Sequence, residues 1–336
     1  MTSPVRVGIN GFGRIGRATL RTALGREGVE VVAINDVMDP ADVAYLAEYD
    51  TVWGTLDPDV SIEDGDLAVG DRRIALSSEP APADLPWEEC DVDVAVESTG
   101  LFRTRDDAAG HLAAGADAVV ISAPPKGDDD VPQFVYGVNH DDYAGERVVS
   151  GASCTTNSVT PPLSVALAEY TLEAADMTTI HAYTGSQELV DGPTEKTRRG
   201  RAAAENIVPT TTGAATAAPE ILPALEGRFE ATAIRVPVPS GSITELTLDL
   251  AEDPSAEAVN DVLAEYADGP LADAMGVTED PVVSSDVVGT EYGSVVDLPQ
   301  TTAVGDGIVQ VFAWYDNEVG YSSQLLHLVE RVGTAR

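Results

Sequence analysis

The sequence predicts an α/β chain of two domains. The first is built on a doubly wound, mostly parallel sheet, the second on an α+β layer with a mostly antiparallel sheet. Three observations lead there. At 336 residues the chain exceeds one ordinary core, and 43% hydrophobic content is enough to fill two. Short apolar runs alternate with helical stretches through the first half, the pattern of a parallel sheet. Beyond residue 153 the strands lengthen and alternate apolar with polar positions, as antiparallel strands with one face covered do.

Taken in order, 5–10 is a short buried strand, followed by the loop Gly11-Phe12-Gly13-Arg14-Ile15-Gly16 and a helix over 14–25. A second strand over 29–35 ends at Asp36, completing a βαβ unit. Further strands are expected at 92–97, 118–122 and 133–138. A helix is expected over 158–170, its first turns disturbed by Pro161 and Pro162. Strands at 176–184, 232–237, 242–251 and 308–315 read as antiparallel. The stretch 185–206 carries no secondary-structure signal, and a loop that long in a compact domain is usually functional or disordered. A last amphipathic helix covers 320–332. The expected division is therefore a dinucleotide domain over 1–152, completed by the C-terminal helix 318–336, and a catalytic domain over 153–317.

Charge narrows the function classes. There are 57 acidic residues against 19 basic ones, a net charge of -38, and only Lys126 and Lys196 are lysines. Repulsion from a phosphate polymer disfavours nucleic-acid binding. The acids are spread along a chain of ordinary hydrophobicity, which argues for a folded protein with a carboxylate surface suited to concentrated salt. No apolar run reaches membrane length, no leader pattern opens the chain, and Cys90 and Cys154 form no disulfide framework, so a cytoplasmic protein is expected.

Two groups of residues carry chemistry. Gly11, Gly13 and Gly16 lie between a strand and a helix, with Asp36 closing the next strand: the fingerprint of a Rossmann dinucleotide site. The glycines permit the tight turn and close packing, the helix N-terminus meets the pyrophosphate, and Asp36 holds the ribose and repels a 2′-phosphate, favouring NAD. The second group starts at Ser153-Cys154-Thr155-Thr156-Asn157. A cysteine before a helix, with His181 on the next strand, is a candidate nucleophile with its base, and an ion pair between them is expected. Basic residues are rare, so the cluster Lys196, Arg198, Arg199 and Arg201, with Arg235 and the hydroxyls of Thr184 and Thr210-Thr211-Thr212-Gly213, reads as an oxyanion pocket. Cys90, among acids and without a partner, reads as structural.

Together these runs resemble one family, the phosphorylating glyceraldehyde-3-phosphate dehydrogenases of the bacterial and eukaryotic type. The likeness extends nearly end to end: Asn10 to Arg17, Glu97-Ser98-Thr99-Gly100, Gly137-Val138-Asn139-His140, Ser153 to Asn157, Pro209 to Ala214, Arg235-Val236-Pro237 and Trp314-Tyr315-Asp316-Asn317-Glu318. The resemblance implies NAD as cofactor, with Arg14 and Ile15 at the pyrophosphate through their backbone, Thr99 and Ser122 lining the cleft, and Asn317 on the nicotinamide amide. It implies Thr184, Arg235 and Arg199 at the substrate phosphate, and Ser153, Thr155, Thr212 and Gly213 at inorganic phosphate. It also implies a homotetramer, with 185–206 at subunit contacts, and no metal. Pro80 stands where the family often has an arginine beside the adenine. Three other readings remain: a dehydrogenase of another phosphorylated aldehyde such as erythrose 4-phosphate, a non-catalytic NAD-binding regulator, and a cysteine hydrolase, which would leave the glycine fingerprint without a purpose.

Overall fold

In the computed structural model, residues 3–127 and 130–335 are described. They divide into two compact units: 1–136, 140–152 and 322–336 in one, 137–139 and 153–321 in the other.

The first unit opens with β1 (Val5–Asn10), α1 (Arg14–Ala23) and β2 (Val29–Asn35). β1 and β2 pair in parallel, placing Asn10 opposite Asn35 at their C-terminal ends. α2 (Pro40–Glu48) starts with proline behind the N-cap Asp39, whose side chain accepts the Ala41 N–H. A meander absent from the sequence reading follows: β3 (Val60–Glu63), β4 (Asp66–Val69) and β5 (Arg72–Ser77). Then come β6 (Val94–Glu97), α3 (Arg105–Ala113), β7 (Ala118–Ile121) and β8 (Val148–Ser150). The sheet order is β3-β4-β5-β2-β1-β6-β7-β8, parallel from β5 to β8. The chain leaves β1 toward β2 and returns on its other side at β6. That makes a topological switch point, and the crevice outside the strand ends there is where such sheets bind ligands.

The strand expected at 133–138 does not form. Only Gln133 bridges, to Ser150, with Phe134 N–H on the Ser150 carbonyl. Pro132 has no N–H to donate, and Gly137 turns the chain at φ 81°.

The second unit begins with α4, which runs from Cys154 to Glu169, four residues earlier than the sequence reading put its start. Ser153 is the N-cap, its Oγ accepting the Thr156 N–H at 3.1 Å, so the polar run Cys154–Asn157 is the helix's first turn. Pro161 and Pro162 lie inside the helix, which continues past them. The sheet comprises β9 (Leu172–Ala182), β10 (Val208–Thr210), β11 (Phe229–Val236), β12 (Ser242–Leu250), β13 (Met275–Thr278), β14 (Ser294–Asp297), β15 (Thr302–Gly305) and β16 (Ile308–Tyr315). Its order is β10-β11-β9-β12-β16-β14-β13, with β15 also on β16. The sheet is mostly antiparallel, but β9 and β11 run parallel, which corrects the expectation for that pair. The connection between them passes through β10 and α5 (Ala214–Ile221), long enough to return the chain to the same end.

β12 alternates strictly between buried and half-buried residues. Its buried Leu246 and Leu248 pack with Met177, Val309 and Val311 of neighbouring strands, and with Val159 and Leu163 of α4 and Val259 and Leu263 of α6 (Ala256–Asp268). α7 (Val319–Thr334) closes the chain. Within 185–206 the only regular structure is a 3₁₀ turn, Thr197–Gly200. No helix among the described residues is long and apolar enough to cross a membrane.

Candidate active site

In the first unit the glycine loop is held by sterics. Gly11 has φ +94°, and a Cβ there would lie 2.6 Å from the Thr99 nitrogen; one on Gly16 would lie 2.1 Å from the Gly11 carbonyl oxygen. A Cβ on Gly13, by contrast, would meet no protein atom within 4 Å. Gly13 is the N-cap of α1 and offers no side-chain cap, so no side chain covers this helix N-terminus, the end that favours an anion. The Arg14 side chain is engaged elsewhere: it pairs with Asp50 and lies over the Trp53 ring, 4.0 Å from its centroid.

Asp36 accepts the Phe12 N–H at 2.6 Å through Oδ2 and the Met38 N–H at 3.0 Å through Oδ1. It thereby ties the loop to the end of β2, and each oxygen keeps a lone pair for a ribose hydroxyl. A cleft at this end of the sheet is lined by Asn10, Gly11, Gly13, Asp36, Pro80 and Thr99, among others. Ser122 follows β7, its N–H on the Glu97 carbonyl. Beneath the cleft runs a buried polar chain. Trp87 Nε1 donates to His111 Nδ1 at 2.9 Å, so His111 carries its proton on Nε2, facing Glu97 Oε2 at 3.1 Å. Asn10 Nδ2 donates to that same Glu97 oxygen, while Thr99 N–H donates to Oε1. This floor and the open cradle at Gly13 fit a dinucleotide.

In the second unit Cys154 is the first residue of α4, half-buried, and His181 is the penultimate residue of β9, 3% exposed. Cys154 Sγ and His181 Nε2 are 3.5 Å apart. His181 Nδ1 lies 2.6 Å from the Ala182 carbonyl. A carbonyl can only accept, so Nδ1 bears a proton, and Nε2 is the nitrogen that faces the sulfur. Burial pushes the Cys154 thiol up; Arg235, the hydroxyl and N–H of Thr155 and its own N–H at the start of α4 act the other way. Burial, then Arg235, pull the imidazole down to about 3. Burial thus works against both charged forms, the thiolate and the imidazolium, and Arg235 favours the thiolate while opposing the imidazolium.

Arg235 is the register partner of His181 on β11. Its Nη1 donates to the Ala182 carbonyl at 2.9 Å and to Thr184 Oγ1 at 3.2 Å. Arg199, on the 3₁₀ turn, donates to Thr210 Oγ1, Ser186 Oγ and the Thr211 carbonyl, each at 3.1 Å, and Lys196 Nζ donates to Thr211 Oγ1. Two guanidinium groups and an ammonium thus share one set of hydroxyls, an arrangement that suits a phosphate. Gly213 is the N-cap of α5 and has no side-chain cap; Ala214 N–H meets Thr212 Oγ1. α5 packs against α4, whose own start is capped by Ser153. Thr155 is turned inward: 4% exposed, its hydroxyl meets the Tyr315 hydroxyl at 3.1 Å. Asn317 follows β16, its Oδ1 on Ser242 Oγ.

Tyr315 and Ser242 are not among the candidate site residues that the sequence singles out. Tyr315 joins Thr155 to Thr179 through its hydroxyl and sets its ring edge on His181 with centroids 5.8 Å apart. Its place one strand-end from Asn317, in a run already singled out, was the available signal. No group of metal-ligating side chains occurs among the described residues.

Comparison with known proteins shows the family. Residues 5–105 match the family model for the NAD-binding domain of glyceraldehyde 3-phosphate dehydrogenase, and 153–317 match the model for its C-terminal domain. The glyceraldehyde-3-phosphate dehydrogenase of Haloarcula vallismortis is 54% identical over 99% of this chain and 99% of its own. That of Priestia megaterium is 45% identical over 98% of each chain. Glyceraldehyde-3-phosphate dehydrogenase A of Escherichia coli is 43% identical over 98% of this chain and 99% of its own. With the glycine cradle in one unit, the thiol–imidazole pair in the other, and both family models matched along a chain aligned end to end, this protein belongs to the glyceraldehyde-3-phosphate dehydrogenase family.

Proposed function

We propose that the protein oxidises D-glyceraldehyde 3-phosphate with NAD and inorganic phosphate to 1,3-bisphosphoglycerate, the phosphorylating step of glycolysis. The observation that carries this is the Cys154 Sγ to His181 Nε2 approach of 3.5 Å, with Arg235 in register beside it. Bound NAD supplies the hydride acceptor. His181 Nε2 takes the thiol proton as Cys154 attacks the aldehyde carbon, and the Cys154 N–H meets the developing oxyanion. The same nitrogen first returns that proton to the oxyanion, giving the hemithioacetal hydroxyl, and then removes it as that carbon is oxidised to a thioester. Arg235, Thr184 and Arg199 hold the substrate phosphate. Ser153, Thr212 and Gly213 receive inorganic phosphate, which attacks the thioester and releases the acyl phosphate; Thr155 contributes there through its backbone, since its hydroxyl is engaged with Tyr315.

The reading extends to a cytoplasmic, salt-adapted homotetramer. The acidic surface supports salt adaptation, and the exposed Leu189, Val190 and Ile207 around the 185–206 loop support subunit contacts there. The test is NADH formation from glyceraldehyde 3-phosphate and phosphate in molar KCl, repeated with NADP and with erythrose 4-phosphate. Faster turnover of erythrose 4-phosphate would move the assignment to that aldehyde. No turnover of either would leave an NAD-binding regulator.

A further inference from the structure

Ala182 and Ser242 join the end of β9 to Asn317 by a chain of two hydrogen bonds. The Ala182 N–H reaches Ser242 Oγ at 3.0 Å, and Ser242 Oγ reaches Asn317 Oδ1 at 3.0 Å. An amide N–H can only donate, so it occupies a lone pair of the serine oxygen. The serine hydroxyl donates its one hydrogen to Asn317 Oδ1. The Asn317 atom facing Ser242 is therefore the carbonyl oxygen, and the NH₂ group takes the opposite side. Among the described residues nothing in the protein accepts from that NH₂. The backbone beneath is held as well. Asp316, fully buried, accepts the N–H groups of Glu318 and Val319 through Oδ1 and of Gly289 through Oδ2, and Ser240 Oγ–H meets Oδ1. Rotation of its side chain is the freedom left to Asn317, and Ser242, itself 1% exposed, removes it.

We propose that Ser242 is a positioning residue that fixes the Asn317 amide with its NH₂ group outward, so that the site selects a ring substituent carrying a hydrogen-bond acceptor. The inference rests on the NAD-dependent reading above and deepens it, because the group selected is the carbonyl oxygen of the nicotinamide carboxamide, not its NH₂. The same serine takes its donor from Ala182, whose carbonyl receives both His181 Nδ1–H and Arg235. Recognition of the ring and orientation of the base thus share one residue.

The experiment compares wild type, Ser242→Ala and Ser242→Thr by direct titration in molar KCl. The ligands are NAD, ADP-ribose, which lacks the nicotinamide ring, and the 3-acetylpyridine analogue of NAD, which keeps the carbonyl but replaces NH₂ by methyl. Ser242→Ala is expected to bind NAD about 3- to 10-fold more weakly, the scale of one hydrogen bond, with ADP-ribose affinity unchanged. Wild type is expected to bind the acetylpyridine analogue as well as NAD, and Ser242→Thr, which keeps the hydroxyl, to restore the preference for NAD over ADP-ribose. Equal losses for NAD and ADP-ribose in Ser242→Ala would make the role merely structural and overturn the proposal. So would rejection of the acetylpyridine analogue by wild type, which would mean that the site requires the donor. Failure of the NAD-dependent reading would show separately, as wild type forming no NADH.

Discussion

At the scale of single residues, the proposed site sets a buried imidazole 3.5 Å from the half-buried Cys154 thiol. Burial, then Arg235, disfavour the protonated imidazole, which favours Nε2 as an acceptor. His181→Asn is expected to slow oxidation by about 10²- to 10⁴-fold in single-turnover NADH formation, the scale of a lost general base. Arg235 lowers the thiol pKa, so its removal must raise it. In Arg235→Gln the midpoint of iodoacetamide inactivation against pH is expected to move to higher pH. The KM for the phosphorylated aldehyde should rise about 10- to 100-fold with the loss of a charge-assisted hydrogen bond. A midpoint that stays or falls would detach Arg235 from the thiol. At the other ligand end, Asp36→Ala removes a ribose acceptor, a charge that repels a 2′-phosphate, and the anchor of Phe12 N–H. The kcat/KM ratio for NAD over NADP should drop about tenfold or more; an unchanged ratio would assign the preference elsewhere.

Among elements, α1 and α4 do parallel work. Each begins shortly after a strand has ended and, in the function proposed, offers its first turn to a ligand, α1 without a side-chain cap and α4 with Cys154 at its first position. The start of α1 depends on Gly16 lying against the Gly11 carbonyl, at a distance no methyl group tolerates. Gly16→Ala should therefore push the helix start off the loop. Overpacking costs about 1–3 kcal/mol, so the thermal midpoint should fall by several degrees, with a larger proportional loss of NAD affinity by titration. NAD binding unchanged in a folded Gly16→Ala protein would show that the loop does not set the cradle. The element hardest to read from sequence was α4. Its first turn is a string of hydroxyl and amide side chains, which favour caps and turns over helix interiors, and only the Ser153 cap and burial against the sheet make it helical.

For the molecule as a whole, charge is the dominant sequence property. With 57 acids against 19 bases, self-repulsion is large at low ionic strength and shrinks as the Debye length falls from about 10 Å at 0.1 M to about 3 Å at 1 M. Thermal midpoint and activity are expected to rise together with KCl up to molar concentrations. If copies of the chain associate, association should be lost first on dilution of salt, because each added copy brings the same charge. A midpoint flat from 0.1 to 3 M KCl in scanning calorimetry would refute screening as the purpose of the acidic surface.

By itself the sequence determined the two sheets, the glycine cradle, Asp36 and the pairing of Cys154 with His181 as candidates. Those features reside in local spacing: a period of two, a turn only glycine permits, a polar run around a cysteine. The tertiary structure decided what depends on partners far along the chain. The 133–138 strand failed because of Pro132 and the turn at Gly137, while β3 to β5 appeared as a meander too short to show a period. β9 and β11 became parallel through the path of their connection, which brought Arg235 level with His181. The proton positions on His181 and His111, and the direction of the Asn317 amide, follow from which carbonyls, carboxylates and hydroxyls face them across the fold. A residue's type states what it can donate or accept; only its neighbours in space decide which of those bonds it makes.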